Sequence, residues 1–203
     1  MKKAIVIAVA LMLVSTVAFA GLGLNPTHKA AVHVKIHPTS CTKGYPVFAA
    51  CTDIVTTWAP LGDLDVMPVF YDLAQAQVTE FGMTWPVEWY SMSWIRCKGD
   101  LAIGTVKYSG DGTSIAWTTC QYSWALAPGY GWLAATGPGS VTVVPNPATG
   151  DYGVVDCQPS PGPYMDYPRC VIEAGIGGIL GGEPCAPTAT EPSTWGQIKS
   201  MFR

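Results

Sequence analysis

Three histidines fall within ten positions, His28, His33 and His37, and they are where a metal ion or a general base would be sought first. On a helix His33 and His37 would lie one turn apart and could share a zinc ion. On a strand they share a face but stand about 13 Å apart at 3.3 Å per residue, too far for two ligands that must each lie about 2 Å from the ion. Residues 31–37 (AVHVKIH) alternate with period two and carry β-branched side chains, so a strand is expected and a metal is not. A Ser-His-Asp hydrolase would have to use one of these histidines, and the G-x-S-x-G nucleophile elbow is absent. Glu80 and Glu88 flank an aromatic segment and are the carboxylate pair a glycosidase would need, a pairing that any β-protein of this size offers. Asp63-Leu64-Asp65 opens like a calcium loop, but the EF-hand spacing does not follow. No cofactor is expected.

Tryptophan is the most suggestive supply of chemistry, with eight in the chain. Trp85, Trp89, Tyr90 and Trp94 lie close together, and flat rings of this kind either fill a β-core or stack on sugars or on a neighbouring subunit. Strand alternation places Trp85, Val87 and Trp89 on one face and Tyr90, Met92 and Trp94 on the other. These four aromatics are the candidate binding surface, though core is the expected fate of most tryptophans.

The seven cysteines allow two chemistries, metal binding or a disulfide framework. No two are closer than ten positions, so no C-x₂₋₄-C knuckle exists, and the disulfide reading is favoured. The candidates are Cys41 with Cys51 across a loop, Cys97 with Cys120, and Cys157 with Cys170 around a Pro-rich loop. Cys185 is then the odd one out. A Cys-His nucleophile is possible on paper, and the structural role outweighs it in an exported chain.

The elements that must position these groups are short and mostly extended. Strands are expected at 31–37, from Cys51 to Trp58, and across Asp65 to Leu73, where Pro68 implies an edge or a bulge because it cannot donate to a ladder. Two more follow at 78–85 and 87–97, broken at Pro86. Residues 101–108 and 113–120 flank Ser109-Gly110-Asp111-Gly112, a strong hairpin signal that would set Cys97 beside Cys120 at its open end. Beyond Gln121, YSWALAP, GYGWLAATG, SVTVVP and YGVVDC read as short strands between Gly and Pro. The stretch 171–182 (VIEAGIGGILGG) misses the dinucleotide fingerprint and reads as a Gly-rich buried strand or a close backbone packing site. In the tail, Ser193 can cap a short helix whose Trp195, Ile198 and Phe202 share one face. That helix is expected to be a separable docking or sorting element.

Lys2 and Lys3, an apolar run from Ala4 to Val14 and Ala18-Phe19-Ala20 have the form of a secretory signal peptide, too short for a membrane span. The expected organisation is a signal peptide at 1–20, one β-domain at 21–185, and a linker with a short helix at 186–203. Losing Lys2 and Lys3 moves the formal charge from −3 to −5, with only 12% charged residues. That balance offers no footprint for nucleic acid and little repulsion between copies.

DVMPVFYDL, EFGMTWP, the turn at 110–112, WTTCQ at 117–121, the run at 138–147 and the TWGQIKSMFR ending resemble those of cysteine-containing secreted bacterial β-proteins of unknown function. The resemblance implies an exported, disulfide-bonded chain. The fold expected from the elements is all-β: a disulfide-stabilised antiparallel sandwich, jelly-roll or Ig-like, with a short C-terminal helix. Its function is read as non-catalytic and exported, structural, adhesive or assembly-related, acting through surface contacts with its own copies or a surface glycan. A carbohydrate-binding module is the alternative and a secreted hydrolase the third reading. The location is secreted, periplasmic or at the cell surface.

Overall fold

A computed structural model describes residues 23–37, 48–97, 99–158 and 163–186. Among these, short strands form two packed sheets and no α-helix is present. One sheet runs β13 (Val171–Ile172), β1 (Lys29–Ile36), β3 (Gly62–Tyr71), β9 (Gly129–Ala135), β5 (Tyr90–Arg96), with β8 (Ala125–Leu126) also on β3. The other runs β12 (Met165–Asp166), β11 (Gly153–Val155), β4 (Ala76–Thr84), β10 (Gly139–Val144), β14 (Ala174–Ile176), β2 (Thr57–Trp58). On the opposite flank of β4 lies β7 (Gly112–Gln121), and β6 (Leu101–Gly104) is outermost on β7. Pairing is antiparallel except for β1 with β13 and β14 with β2. The sandwich expected from the period-two pattern is the fold of this chain.

The sequence of β3 shows how the layers are filled. Leu64, Val66 and Phe70 face inward onto Phe81, Met83, Ile115, Val141 and Val143 of the opposite sheet. Phe81 is in ring contact with Phe70 at 5.7 Å and with Trp94 at 5.8 Å between centroids. The alternate residues Met67, Val69 and Tyr71 face outward, under Phe48, Ile54, Tyr130 and Ile172. Leu64–Tyr71 is therefore buried without interruption. Burying each large apolar side chain contributes about 1.5–3 kcal/mol, so β3 is the most heavily anchored strand.

Pro68 does not put β3 at an edge. It pairs with Val32 on one flank, while on the other β9 ends at Val66 and β8 begins at Phe70. The proline occupies the break between those two partners, where no ladder bond is lost. The strand expected from Cys51 is also different: Cys51–Asp53 form one 3-10 turn and only Thr57–Trp58 pair. The Asp53 carboxylate accepts from the N–H groups of Ala49 and Ala50, holding that turn.

β6 and β7 pair as the expected hairpin, but β6 stops at Gly104 rather than 108 and a long loop joins them, with Gly110 at φ 94° and the Asp111 carboxylate accepting from the Lys107 and Tyr108 N–H groups. The cysteine pairs do not follow it. Cys97 donates its N–H to Pro128 O and so stays with β5 and β9, whereas Cys120 ends β7 in the other sheet. β5 and the next strand, β6, belong to different sheets, which separates the two thiols. Cys120 is bonded to Cys157, and Cys51 to Cys185, which corrects the pairings of Cys120 with Cys97, Cys157 with Cys170 and Cys51 with Cys41. Cys97 is disulfide-bonded as well, and half-buried Cys170 keeps the free thiol. Of the Gly-rich stretch 171–182, Ala174–Ile176 is buried as β14, where a Cβ on Gly175 would meet Ile179 O at 2.3 Å, while residues 178–180 are exposed. The segment expected to be a signal peptide, Cys41 and the expected C-terminal helix lie outside the described residues. Among those described, no helix is long and apolar enough to cross a membrane.

Candidate binding cleft and contact surface

Pro86 ends β4, and the chain turns through Trp89 N–H donating to Pro86 O at 3.0 Å before β5 begins. Trp85, Val87, Trp89 and Ser91 then line an open cleft of about 210 Å³, closed on the far side by Tyr108 and Ser109 from the β6–β7 loop. Its walls are fixed by one hydroxyl. Ser109 Oγ accepts from Trp85 N–H at 2.9 Å and donates to Trp85 O at 2.7 Å. Trp89 packs close against residue 139 because that residue is glycine: a Cβ there would meet Pro86 at 2.3 Å and the Trp89 ring at 2.9 Å. We expect Ser109→Ala, which strands both backbone groups of Trp85, to cost about 1–2 kcal/mol in urea unfolding. An unchanged midpoint would show that the hydroxyl does not hold the wall.

The four candidate aromatics separate. Trp85 and Trp89 are largely buried, their accessible edges turned to the cleft, while Tyr90 is 67% exposed. Trp94 is turned into the core against Phe81. The alternation that would have put Trp94 with Tyr90 fails because β5 bulges between Ser91 and Ser93. A bulge adds one residue and moves everything after it to the opposite face. Tyr108 and Ser109 were not legible as partners of Trp85, since only the long hairpin loop brings them there.

The cleft lies where the start of β5 and the β6–β7 loop meet, and β5 and β6 are each an outermost strand of their sheet. β5 pairs only with β9 and β6 only with β7. Val87, Tyr90, Met92, Ile95, Leu101, Ile103 and Tyr108 are all exposed there, seven of the fifteen exposed large apolar side chains among the described residues. The bulge in β5 and its terminal Arg96 interrupt that edge. The other edge, Leu101-Ala102-Ile103-Gly104, is exposed throughout and carries neither charge nor proline.

The histidines each have a different partner. His28 Nδ1 lies 2.8 Å from Asn25 O, and burial lowers its pKa. His33 Nδ1 accepts from Val55 N–H at 2.9 Å, and burial brings its pKa down to about 4. His37 Nδ1 lies 2.9 Å from the buried Asp65 carboxylate, with its ring stacked on Trp132 at 4.1 Å. Among the described residues no hydroxyl or thiol is hydrogen-bonded to His37. Glu80 accepts from Asn146 Nδ2 and Thr149 Oγ1 and ties the 146–151 turn to β4. Glu88 is exposed in the turn beyond β4, whereas Glu80 is buried, so the two carboxylates lie in different environments.

A further cluster was invisible in the sequence. The carboxylates of Asp156 and Asp166, from neighbouring strands, accept from Leu24 N–H and Asn25 N–H. Burial raises the Asp166 pKa, and these bonds tie residues 24–25 to the sheet.

No protein-family model matches the chain, and no curated protein does. Among solved structures, a type II cohesin domain from the cellulosome of Acetivibrio cellulolyticus is similar at 7% identity and a TM-score of 0.46, over 75% of this chain and 96% of that one. At that score the likeness carries no argument about function.

Proposed function

We propose that this chain is an exported, non-catalytic protein that works through surface contacts, as a structural, adhesive or assembly component. The observation that carries the reading is the concentration of exposed apolar side chains along β5 and β6, consecutive strands that are each outermost in their sheet. Soluble proteins commonly guard such edges with lysine, proline or a bulge, and an unguarded one is a template for pairing. The disulfides fit an oxidising compartment outside the cytosol. Export after cleavage at Ala20 and kinship with cysteine-containing secreted bacterial proteins belong to the same proposal.

The β6 edge gives the test. Leu101→Lys with Ile103→Lys places two charges on side chains that touch little of the core, so the melting temperature should hold. Binding to the producing cell's surface, or self-association in sedimentation, should fall about tenfold or more. Retention and association equal to wild type would contradict the contact role of this edge.

A further inference from the structure

We propose that the Trp85–Trp89–Tyr108 cleft binds a single ring of a neutral sugar. This rests on the surface-contact reading and names the partner at one end of the β5–β6 side. Three aromatic side chains, Trp85, Trp89 and Tyr108, converge on a space of about 210 Å³. That is below the roughly 300–1,000 Å³ usual for drug-sized ligands and leaves room for one ring. A pyranose offers an apolar C–H face for the exposed Tyr108 ring, which the small accessible parts of buried Trp85 and Trp89 back, and a rim of hydroxyls for polar groups. The lining has both, with Ser91 and the phenol of exposed Tyr108 among its residues and no charged side chain. Its walls are set before any ligand arrives, through the two Ser109–Trp85 hydrogen bonds and the Trp89 seat against Gly139. Prior ordering of this kind lowers the entropy cost of binding.

A peptide strand is the competing occupant, and the backbone argues against it here. Strand addition needs an unbroken row of N–H and C=O groups, and β5 bulges between Ser91 and Ser93, next to the cleft. A lipid chain would need a longer channel than this cleft provides.

The test uses the full mature chain and a panel of methyl glycosides of glucose, galactose, mannose and N-acetylglucosamine, read by the indole N–H resonances of Trp85 and Trp89 in NMR. At least one glycoside should shift both resonances with a Kd on the order of 1–10 mM. Tyr108→Ala, at an exposed position that leaves the fold intact, should weaken that binding about tenfold, and Ser91→Ala should weaken it less. Shifts absent with every glycoside, shifts unchanged in Tyr108→Ala, or shifts produced by an apolar strand-forming peptide and by no sugar would each overturn the proposal. The Leu101→Lys, Ile103→Lys variant separates the two readings. If it loses surface contacts while no sugar binds, the contact role stands and the sugar site falls.

Discussion

Replacing Cys51 and Cys185 by serine is expected to lower the unfolding free energy by on the order of 5 kcal/mol, from loop closure alone. The bridge spans 134 positions and joins the turn at 51–53 to the last described residues of the chain. Its loss reaches the outer face of β3. Phe48 and Ile54 flank Cys51 and cover Met67, Val69 and Tyr71, while the Tyr71 hydroxyl donates to Pro184 O, beside Cys185, at 2.8 Å. The Cys120–Cys157 bridge spans 37 positions, and its removal should cost less, about 4 kcal/mol by the same relation. Denaturant midpoints of the two double variants under oxidising conditions would rank them. A larger loss for the shorter bridge would show that Cys51–Cys185 is not what clamps the outer layer.

Acid is expected to remove a second tie between the same layer and β1. His33 Nδ1 accepts from Val55 N–H, which requires a neutral ring, and burial pushes its pKa from 6.5 down to about 4. Between those values the unfolded chain binds a proton that the folded chain does not. Stability is therefore full above about pH 6.5, falls as pH drops, and has lost this contribution at about pH 4. At 1.36 kcal/mol per unit the loss is about 3 kcal/mol. His28, lowered by burial, acts in the same direction. Asp166 acts oppositely, since its raised pKa makes the folded chain take up the proton first as pH falls. His33→Asn keeps an acceptor near Val55 and cannot titrate, so its stability should change much less between pH 7 and pH 4.5. An equally steep decline in that variant would assign the acid sensitivity elsewhere.

What could be read in the residues was the local part. Period-two alternation and β-branched content in residues 31–37 and 65–73 predict strands, and strands form there, but Ala30–Val34 and Leu64–Tyr71 are buried on both faces rather than on one. Gly110 and Asp111 close their turn by backbone and side-chain geometry that two residues suffice to encode. What failed depended on which sheet a strand joins. Cys97 and Cys120 would face each other if β5 ran on into the hairpin, but β5 and β6 belong to different sheets. The Met92 bulge leaves no mark in composition, yet it decides that Trp94 is core and Tyr90 is surface. The cleft was half legible: Trp85 and Trp89 share a face by alternation, while its opposite wall comes from a loop about twenty residues away. The acidic clamp on Leu24 and Asn25 joins positions more than 130 apart, beyond any local signal.

The central claim is that the β5–β6 side is the surface through which this protein acts. Photo-crosslinking from within that surface tests it most directly. A photoreactive side chain at position 103 is compared with one at position 180, where Leu180 is 80% exposed but outside this side of the sandwich. In the producing cells, the account predicts a discrete adduct from position 103, to a second copy or a defined surface partner, and none from position 180. Adducts of equal yield from both positions, or from 180 alone, would contradict it.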